Sequence, residues 1–201
     1  MKVSEKLKYL VINTSVEDLT EVYFFNQGKK SQVILKESRQ HLKNLIPTIK
    51  NLLEKEKTKF GDLDFVALNE GPGSWTGLRI GFATVKVLAM LSRVPLIVYN
   101  NFELISKESK SLDGLFLIKC SETNYFYRHI KNGNIVSEGV VSEVKLFENY
   151  SEEVKYYLIS EINIVTELVE KKFNEKMFSN SFDVEPMYLT EGLITPKIKN
   201  E

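Results

Sequence analysis

Residues 71–81 read Gly-Pro-Gly-Ser-Trp-Thr-Gly-Leu-Arg-Ile-Gly, with glycines at 71, 73, 77 and 81. Asp64–Asn69, just before, is an apolar run of strand length. Phe82–Ser92, just after, has the length and composition of a helix. The stretch therefore predicts a strand, a glycine-rich turn and a helix. Such a turn lets backbone N–H groups converge near a helix N-terminus, where the dipole favours anions. Two phosphate-binding patterns fail here. No lysine follows Gly77, as the P-loop requires, and the third glycine of a dinucleotide fingerprint comes one residue late. Gly73, Gly77 and Gly81 recur every four residues, so the last two share a helix face that another backbone can approach closely. Two readings stay open. The loop serves packing alone, or it also holds a phosphate on Gly71, Gly73, Ser74, Thr76 and Gly77.

Working outward, Lys8–Thr14, Thr20–Asn26 and Ser31–Glu37 are short β-type segments, with Gln27-Gly28 as a hairpin turn. A helix is expected from about Arg39 to Lys57, with Leu42, Leu45, Ile46, Ile49, Leu52 and Leu53 at three-and-four spacing. Pro47 should kink it or delay its start. Leu96–Tyr99 reads as another strand, so the first half runs βββαβαβ. The second half repeats that order more weakly. Leu115–Cys120, Tyr125–Ile130 and Ile135–Val141 are strand candidates, with a turn at Asn132-Gly133-Asn134. Val144–Tyr150 reads as a short helix, Lys155–Ser160 as a fourth strand and Ile162–Lys176 as a closing helix. Ser106–Gly114 is a polar linker between the halves. The tail beyond Thr195 is lysine-rich and expected to fray.

The 201 residues, 43% hydrophobic, suffice for one large domain or two small lobes. Lys plus Arg number 27, matched by 27 Asp plus Glu, so there is no overall basic excess to advertise a nucleic-acid binder. No apolar run has the length of a signal or a membrane span. The single cysteine, Cys120, permits no internal disulfide. A soluble, reduced, cytoplasmic protein is expected.

The whole loop motif, Gly71 to Gly81, closely resembles the signature of the bacterial TsaB (YeaZ) family of tRNA threonylcarbamoyladenosine biosynthesis proteins. Leu10-Val-Ile-Asn-Thr-Ser15, His41-Leu-Lys-Asn-Leu-Ile-Pro47, Pro95-Leu-Ile-Val98 and Glu185-Pro-Met-Tyr-Leu189 agree with the family in the same order. The resemblance is specific over residues 8–105 and loose from there to about 180. It implies an α/β chain of the actin-like ATPase, ribonuclease-H-like fold, in two lobes each with a mixed sheet flanked by helices. The expected division is an N-terminal lobe with the glycine loop over 1–105, and a smaller C-terminal lobe with a returning C-terminal segment over 106–201.

The same resemblance implies a non-catalytic partner of the TsaD enzyme. The pair would form the threonylcarbamoyl group on adenosine 37 of tRNAs that read ANN codons. Implied partners are TsaD as a heterodimer, a TsaE-type ATPase, a second copy when alone, and tRNA through the complex, with no membrane. No firm cofactor is implied, only weak ATP or ADP binding at the complex interface. The implied partner surface is a helical bundle built by His41, Leu42, Leu45, Ile49, Trp75, Leu78, Arg79 and Phe82. An ATP-dependent small-molecule kinase and a self-associating structural domain are the competing readings.

Residues that would carry chemistry are sparse. The family's usual Asp at the first strand's turn is Asn13 here, and a neutral amide is a poor ligand for a hard cation. Where TsaD-type enzymes carry His-x-x-x-His, this chain has Asn101 and Ile105. The two histidines, His41 and His129, are far apart in sequence. His41 is expected at a helix start or a partner contact, and His129 half-exposed on a strand. Gly-Pro-Gly-Ser74 is not a nucleophile elbow. Cys120 reads as an inert residue of a buried strand. The aromatic run Tyr125-Phe-Tyr-Arg128 reads as a sheet face rather than a base-stacking platform. Neither a catalytic residue nor a metal site is expected.

Overall fold

The computed structural model describes residues 7–36, 40–109, 113–142, 154–157 and 162–189. By its contacts the chain divides into two compact units. One comprises the described residues of Met1–Asn100 with Thr166–Met187, and the other those of Asn101–Val165 with Tyr188 and Leu189.

The first unit is built on a five-stranded sheet. Its strands are β1 (Lys8–Val16), β2 (Leu19–Asn26), β3 (Lys29–Lys36), β4 (Phe65–Asn69) and β5 (Leu96–Tyr99), in the order β3-β2-β1-β4-β5. β1, β2 and β3 pair antiparallel; β4 joins β1 in parallel, and β5 joins β4 in parallel. This is the ribonuclease-H-like arrangement of an actin-type lobe. The central strands read as near-continuous apolar runs because both their faces are covered. Leu10, Ile12, Val66 and Leu68 point to one face, where they form the core with α1 (His41–Lys55) and α2 (Trp75–Ser92). Tyr9 and Phe65 point to the other. There Tyr9 stacks between Phe25 and Phe65, and Phe65 meets Phe173 of α4 (Ile162–Asn174). The Tyr9 hydroxyl donates to Glu170, 2.6 Å away. Lys172 Nζ donates to the Val98 carbonyl, and Ser179 N–H to the Leu96 carbonyl, so the outer edge of β5 is capped.

The second unit has a four-stranded sheet in the order β8-β7-β6-β9, from β6 (Gly114–Lys119), β7 (Asn124–Lys131), β8 (Asn134–Ser142) and β9 (Val154–Tyr157). β6, β7 and β8 are antiparallel and β9 joins β6 in parallel. That repeats the pairing of β1–β4. Helix α3 (Asn101–Ser109) packs against β6 and β9. Arg128 stacks on the Phe102 ring and binds Glu138 through two nitrogens at 2.7–2.8 Å. The β7–β8 turn puts Asn132 and Gly133 at φ 52° and 72°, and Asp113 accepts both their N–H groups.

Four sequence expectations change. Helix α2 begins at Trp75, ahead of the Phe82–Ser92 segment and with Gly77 and Gly81 already on it as their spacing implies, because Ser74 caps it by accepting the Gly77 N–H. The supposed linker from Ser106 is helical through Ser109. Phe102, Leu104 and Ile105 are buried at helical spacing, and the polar residues that follow extend the same helix. Cys120 is exposed beyond the end of β6, in a turn where its N–H donates to the Asn124 carbonyl. His129 is buried rather than half-exposed, because β7 lies inside its sheet between β6 and β8. Pro47 lies within α1, its missing N–H falling opposite the Lys43 carbonyl in the exposed opening turns. The helix expected at 144–150 and the tail beyond 195 lie outside the described residues. No helix among the described residues is long and apolar enough to cross a membrane.

Candidate functional site: the glycine face of α2 and the end of β1

The site is built where β1 ends beneath the start of α2. A Cβ on Gly73 would collide with the Ser15 carbonyl, one on Gly77 with the Thr14 carbonyl, and one on Gly81 with the Thr14 hydroxyl. Each glycine is therefore a place where β1 touches the loop or helix backbone. Two glycines inside a helix cost it about 2 kcal/mol of propensity relative to alanine, which close packing offsets. The loop's N–H groups are drawn into the same contact. Gly71 N–H donates to Asn69, Ser74 N–H to the Ser15 carbonyl at 2.6 Å, Gly77 N–H to Ser74 and Leu78 N–H to the Ser74 carbonyl. Of the five loop residues considered for phosphate, Gly71, Ser74 and Gly77 thus spend their amides within the chain. Gly73 lies against Ser15, and Thr76 is exposed.

Helix α1 closes the knot. His41 is buried with its Nδ1 2.7 Å from the Thr20 hydroxyl, and its Nε2 faces Gly77. Among the described residues, His41 Nε2 and Thr14 Oγ1 have no hydrogen-bond partner. A side chain on Gly77 would press on both β1 and His41.

Asn13 sits at the same end of β1, in a four-residue hydrogen-bond chain. Its side-chain carbonyl accepts from the N–H and hydroxyl of Ser15, at 3.0 and 2.8 Å. Its amide donates to Glu21 at 2.7 Å, and Glu21 also accepts from the Tyr23 hydroxyl at 2.8 Å. Burial, reinforced by the bond to Glu21, pushes the Tyr23 phenol well above its ordinary value. The buried Glu21 requires donors, and Asn13 supplies one where an aspartate would bring a second negative charge. Sequence reading missed Glu21, although a lone carboxylate inside the run Leu19-Thr-Glu-Val-Tyr-Phe-Phe25 was the signal for it. Among the described residues, no three His, Cys, Asp or Glu side chains group as metal ligands would.

The eight residues expected at a partner surface separate into two groups. His41, Leu45, Ile49, Leu78 and Phe82 are buried within the first unit, because the sheet below α1 and α2 needs their apolar stripes. Leu42, Trp75 and Arg79 lie outside, 76% and 48% exposed for the first two. The Arg79 guanidinium stacks 4.3 Å from the Trp75 ring. Ile46, one turn beyond Leu42, is 55% exposed. On α2 the exposed face continues from Trp75 and Arg79 through Ala83 to Val87. Tyr127 is buried and Arg128 is engaged as described, so that aromatic run is a sheet face.

Residues 33–115, less than half of the chain, match the family described as "TsaD: tRNA N6-adenosine threonylcarbamoyltransferase". A "tRNA threonylcarbamoyladenosine biosynthesis protein TsaB" from Buchnera aphidicola is 24% identical over 177 residues, covering 81% of this chain and 77% of that one. A tRNA N6-adenosine threonylcarbamoyltransferase from Wolbachia pipientis is 41% identical over 66 residues, 33% of this chain but only 20% of the enzyme. Among solved structures, YeaZ from Pseudomonas aeruginosa superposes with a TM-score of 0.69 at 17% identity, covering 91% of this chain and all of that one. The fold is therefore the actin-like, ribonuclease-H-like fold of that protein.

Proposed function

We propose, on the premise that this chain belongs to the TsaB (YeaZ) family, that it is the non-catalytic partner of a TsaD-type enzyme in tRNA threonylcarbamoyladenosine biosynthesis. The observation that carries the reading is the outer face of α1 and α2. Leu42, Ile46, Trp75 and Val87 are all exposed there, and Arg79 over Trp75 is the exposed cation among them on α2. Single exposed apolar residues are ordinary, but several large ones along two packed helices mark a surface that another protein covers. Trp and Arg are the side chains most often found as anchors of such surfaces. The proposed partner face is accordingly Leu42, Ile46, Trp75 and Arg79, with the buried residues of α1 and α2 acting only as its support.

The non-catalytic part rests on Asn13. Its carbonyl and amide are committed to Ser15 and Glu21. It has neither a negative charge for a metal nor basicity for a proton. The chain contributes a surface rather than a reacting group, and acts in the cytoplasm, where tRNA is modified.

Co-expression with the TsaD-type enzyme of the same cell tests this. Wild type is expected to co-purify with it and to support modification of an unmodified tRNA. Leu42→Glu and Trp75→Ala are expected to keep the circular-dichroism spectrum and melting temperature but to weaken pairing at least about tenfold, the scale of a lost anchor. Folded variants that pair normally would sink the proposed face. Failure of wild type to pair at all would sink the partner role.

A further inference from the structure

Helix α2 ends in more apolar surface than its own unit consumes. Leu91, one turn beyond Val87, is 79% exposed, and Met90 beside it is exposed as well. Across from them the chain returns through residues 178–182, where Phe178 is exposed and Phe182 is 72% exposed. Between the two lies a groove of about 550 Å³. Its floor includes Ala89, Val94 and Leu96, all buried in the core of the first unit. That core is complete without the four exposed side chains around the groove. Together they present apolar area on the order of 400 Å², within the range of a monomer's largest patch, which is often functional.

The turn that carries Phe182 is tied down on both sides. Its N–H donates to Asn180 Oδ1 at 3.0 Å, and the N–H groups of Asp183 and Val184 donate to the Asn180 carbonyl. Lys86 Nζ of α2 donates to the carbonyls of Phe182 and Val184, at 3.1 and 2.8 Å. Ser179 N–H ties the start of the turn to Leu96 of β5. The backbone around an exposed phenylalanine is thus fixed to the helix and the sheet, so docking its ring costs little further ordering. Folding does not account for this arrangement, because a ring held in water adds nothing to the core. A rigid aromatic knob beside an apolar groove has the form of an interface anchor and its pocket.

The knob and the groove adjoin, and that decides the occupant. Where a knob and its hole lie on distant patches, copies join head to tail without closing. Where they lie side by side, a two-fold axis close to them lets each copy's knob enter the other's groove, and the contact closes on two chains. The formal net charge of zero sets no long-range repulsion against such pairing. We propose that the groove between the end of α2 and residues 178–182 receives Phe182 of a second copy of this chain, in a closed two-fold dimer. The patch is about half of what each partner buries in a standard interface, so the dimer is weak, with a Kd on the order of 10 µM. By helical rise, Leu91 lies about 24 Å along α2 from Trp75. The contact is therefore centred away from Trp75 and Arg79, and it does not rest on the enzyme-partner reading above.

Sedimentation velocity over a wide range of protein concentration tests this, with melting temperature measured in parallel. Wild type alone is expected to pass from monomer to dimer and to stop there. Phe182→Ser and Leu91→Ser, both at exposed positions, are expected to keep the melting temperature and to raise the dimer Kd at least about tenfold, the scale of a lost anchor. Trp75→Ala should dimerise as wild type does. A wild type that stays monomeric at every concentration would overturn the proposal, and so would oligomers that grow past the dimer. A dimer that neither Phe182→Ser nor Leu91→Ser weakens would also overturn it. Loss of the dimer in Trp75→Ala would do the same, by assigning the second copy to the outer face of α1 and α2. If wild type alone never dimerises and Phe182→Ser weakens pairing with the TsaD-type enzyme, the groove belongs to that enzyme and not to a second copy. A chain that dimerises through Phe182 but never pairs with the enzyme would leave this contact standing and remove the partner role.

Discussion

The two sheets share one pairing scheme and differ in the helix that comes after the fourth strand. In the first unit β4 leads through the glycine loop into α2, which returns over β1 and β4 of its own sheet. In the second unit, β9 is succeeded by α4, whose residues from Thr166 onward belong to the first unit and cover the Tyr9–Phe65 face. The first sheet is thus covered on both faces, by α1 and α2 on one and by the part of α4 from Thr166 onward on the other. Pairing alone does not make a site. The first unit has one because glycines bring α2 onto the end of β1, where Asn13, Thr14 and Ser15 meet the loop. The matching end of β6 carries Lys119 and Cys120, both exposed.

The largest effect should come from the glycines that separate the two units. Gly77 is glycine for space, since a Cβ there meets the Thr14 backbone and comes within 3.2 Å of His41. Gly133, in the second unit's hairpin, is glycine for conformation; its φ is 72° and nothing lies within 4 Å of an added Cβ. Gly77→Val is expected to cost about 3 kcal/mol or more, as overpacking against backbone that cannot yield. Gly133→Ala should cost about 1–2 kcal/mol, the penalty of a left-handed residue with a side chain. Denaturant midpoints compare them directly. Equal losses would mean that α2 gives way easily, and the contrast between the units would fail.

The next effect probes the polar chain at the end of β1. Asn13→Asp would set a second carboxylate in hydrogen-bond contact with that of buried Glu21. Both cannot stay ionised, so a proton is retained and the folded pKa of the pair rises. The stability penalty, about 2 kcal/mol at pH 7, should shrink as pH falls towards 4. Adding Glu21→Gln should restore much of it at neutral pH. If Asn13→Asp is neutral at pH 7, the amide is not what Glu21 requires.

Much of this architecture is legible in the residues. Periodicity locates Leu96–Tyr99 with the bounds the structure gives and the run ending at Asn69 to within one residue, because buried parallel strands are short apolar runs with sharp polar edges. The hairpin turns at Gln27-Gly28 and Asn132-Gly133 are also readable, since few residue pairs suit them. Local signals fail where tertiary contact decides. Glycine spacing points to close approach, but not to Thr14 and Ser15 as the partners. A helical stripe does not say which residues its own sheet consumes, so Leu45, Ile49, Leu78 and Phe82 read as interface until the sheet beneath them is known. The groove beside Phe182 is invisible to local pattern, because it arises only where the end of α2 meets residues 178–182.

The smallest effect concerns the cover that α4 provides. Tyr9 is held between Phe25 and Phe65, with its hydroxyl on Glu170 of α4. Burial first, and then the bond to and charge of Glu170, push its phenol far above the ordinary value. A proton is thus held more tightly in the folded state than in the unfolded one. That contribution is complete below the unfolded tyrosine pKa of about 10 and is lost as pH rises beyond it. Tyr9→Phe keeps the stack and removes only the hydroxyl, so it should cost about 1 kcal/mol at pH 8. It should also flatten the fall in stability above pH 10, with Tyr23 supplying what slope remains. Urea midpoints at pH 8 and 10.5 read both. If the variant matches wild type at both pH values, α4 is held by its aromatic stack alone. The hydrogen bond to Glu170 would then be incidental to how α4 covers this face of the sheet.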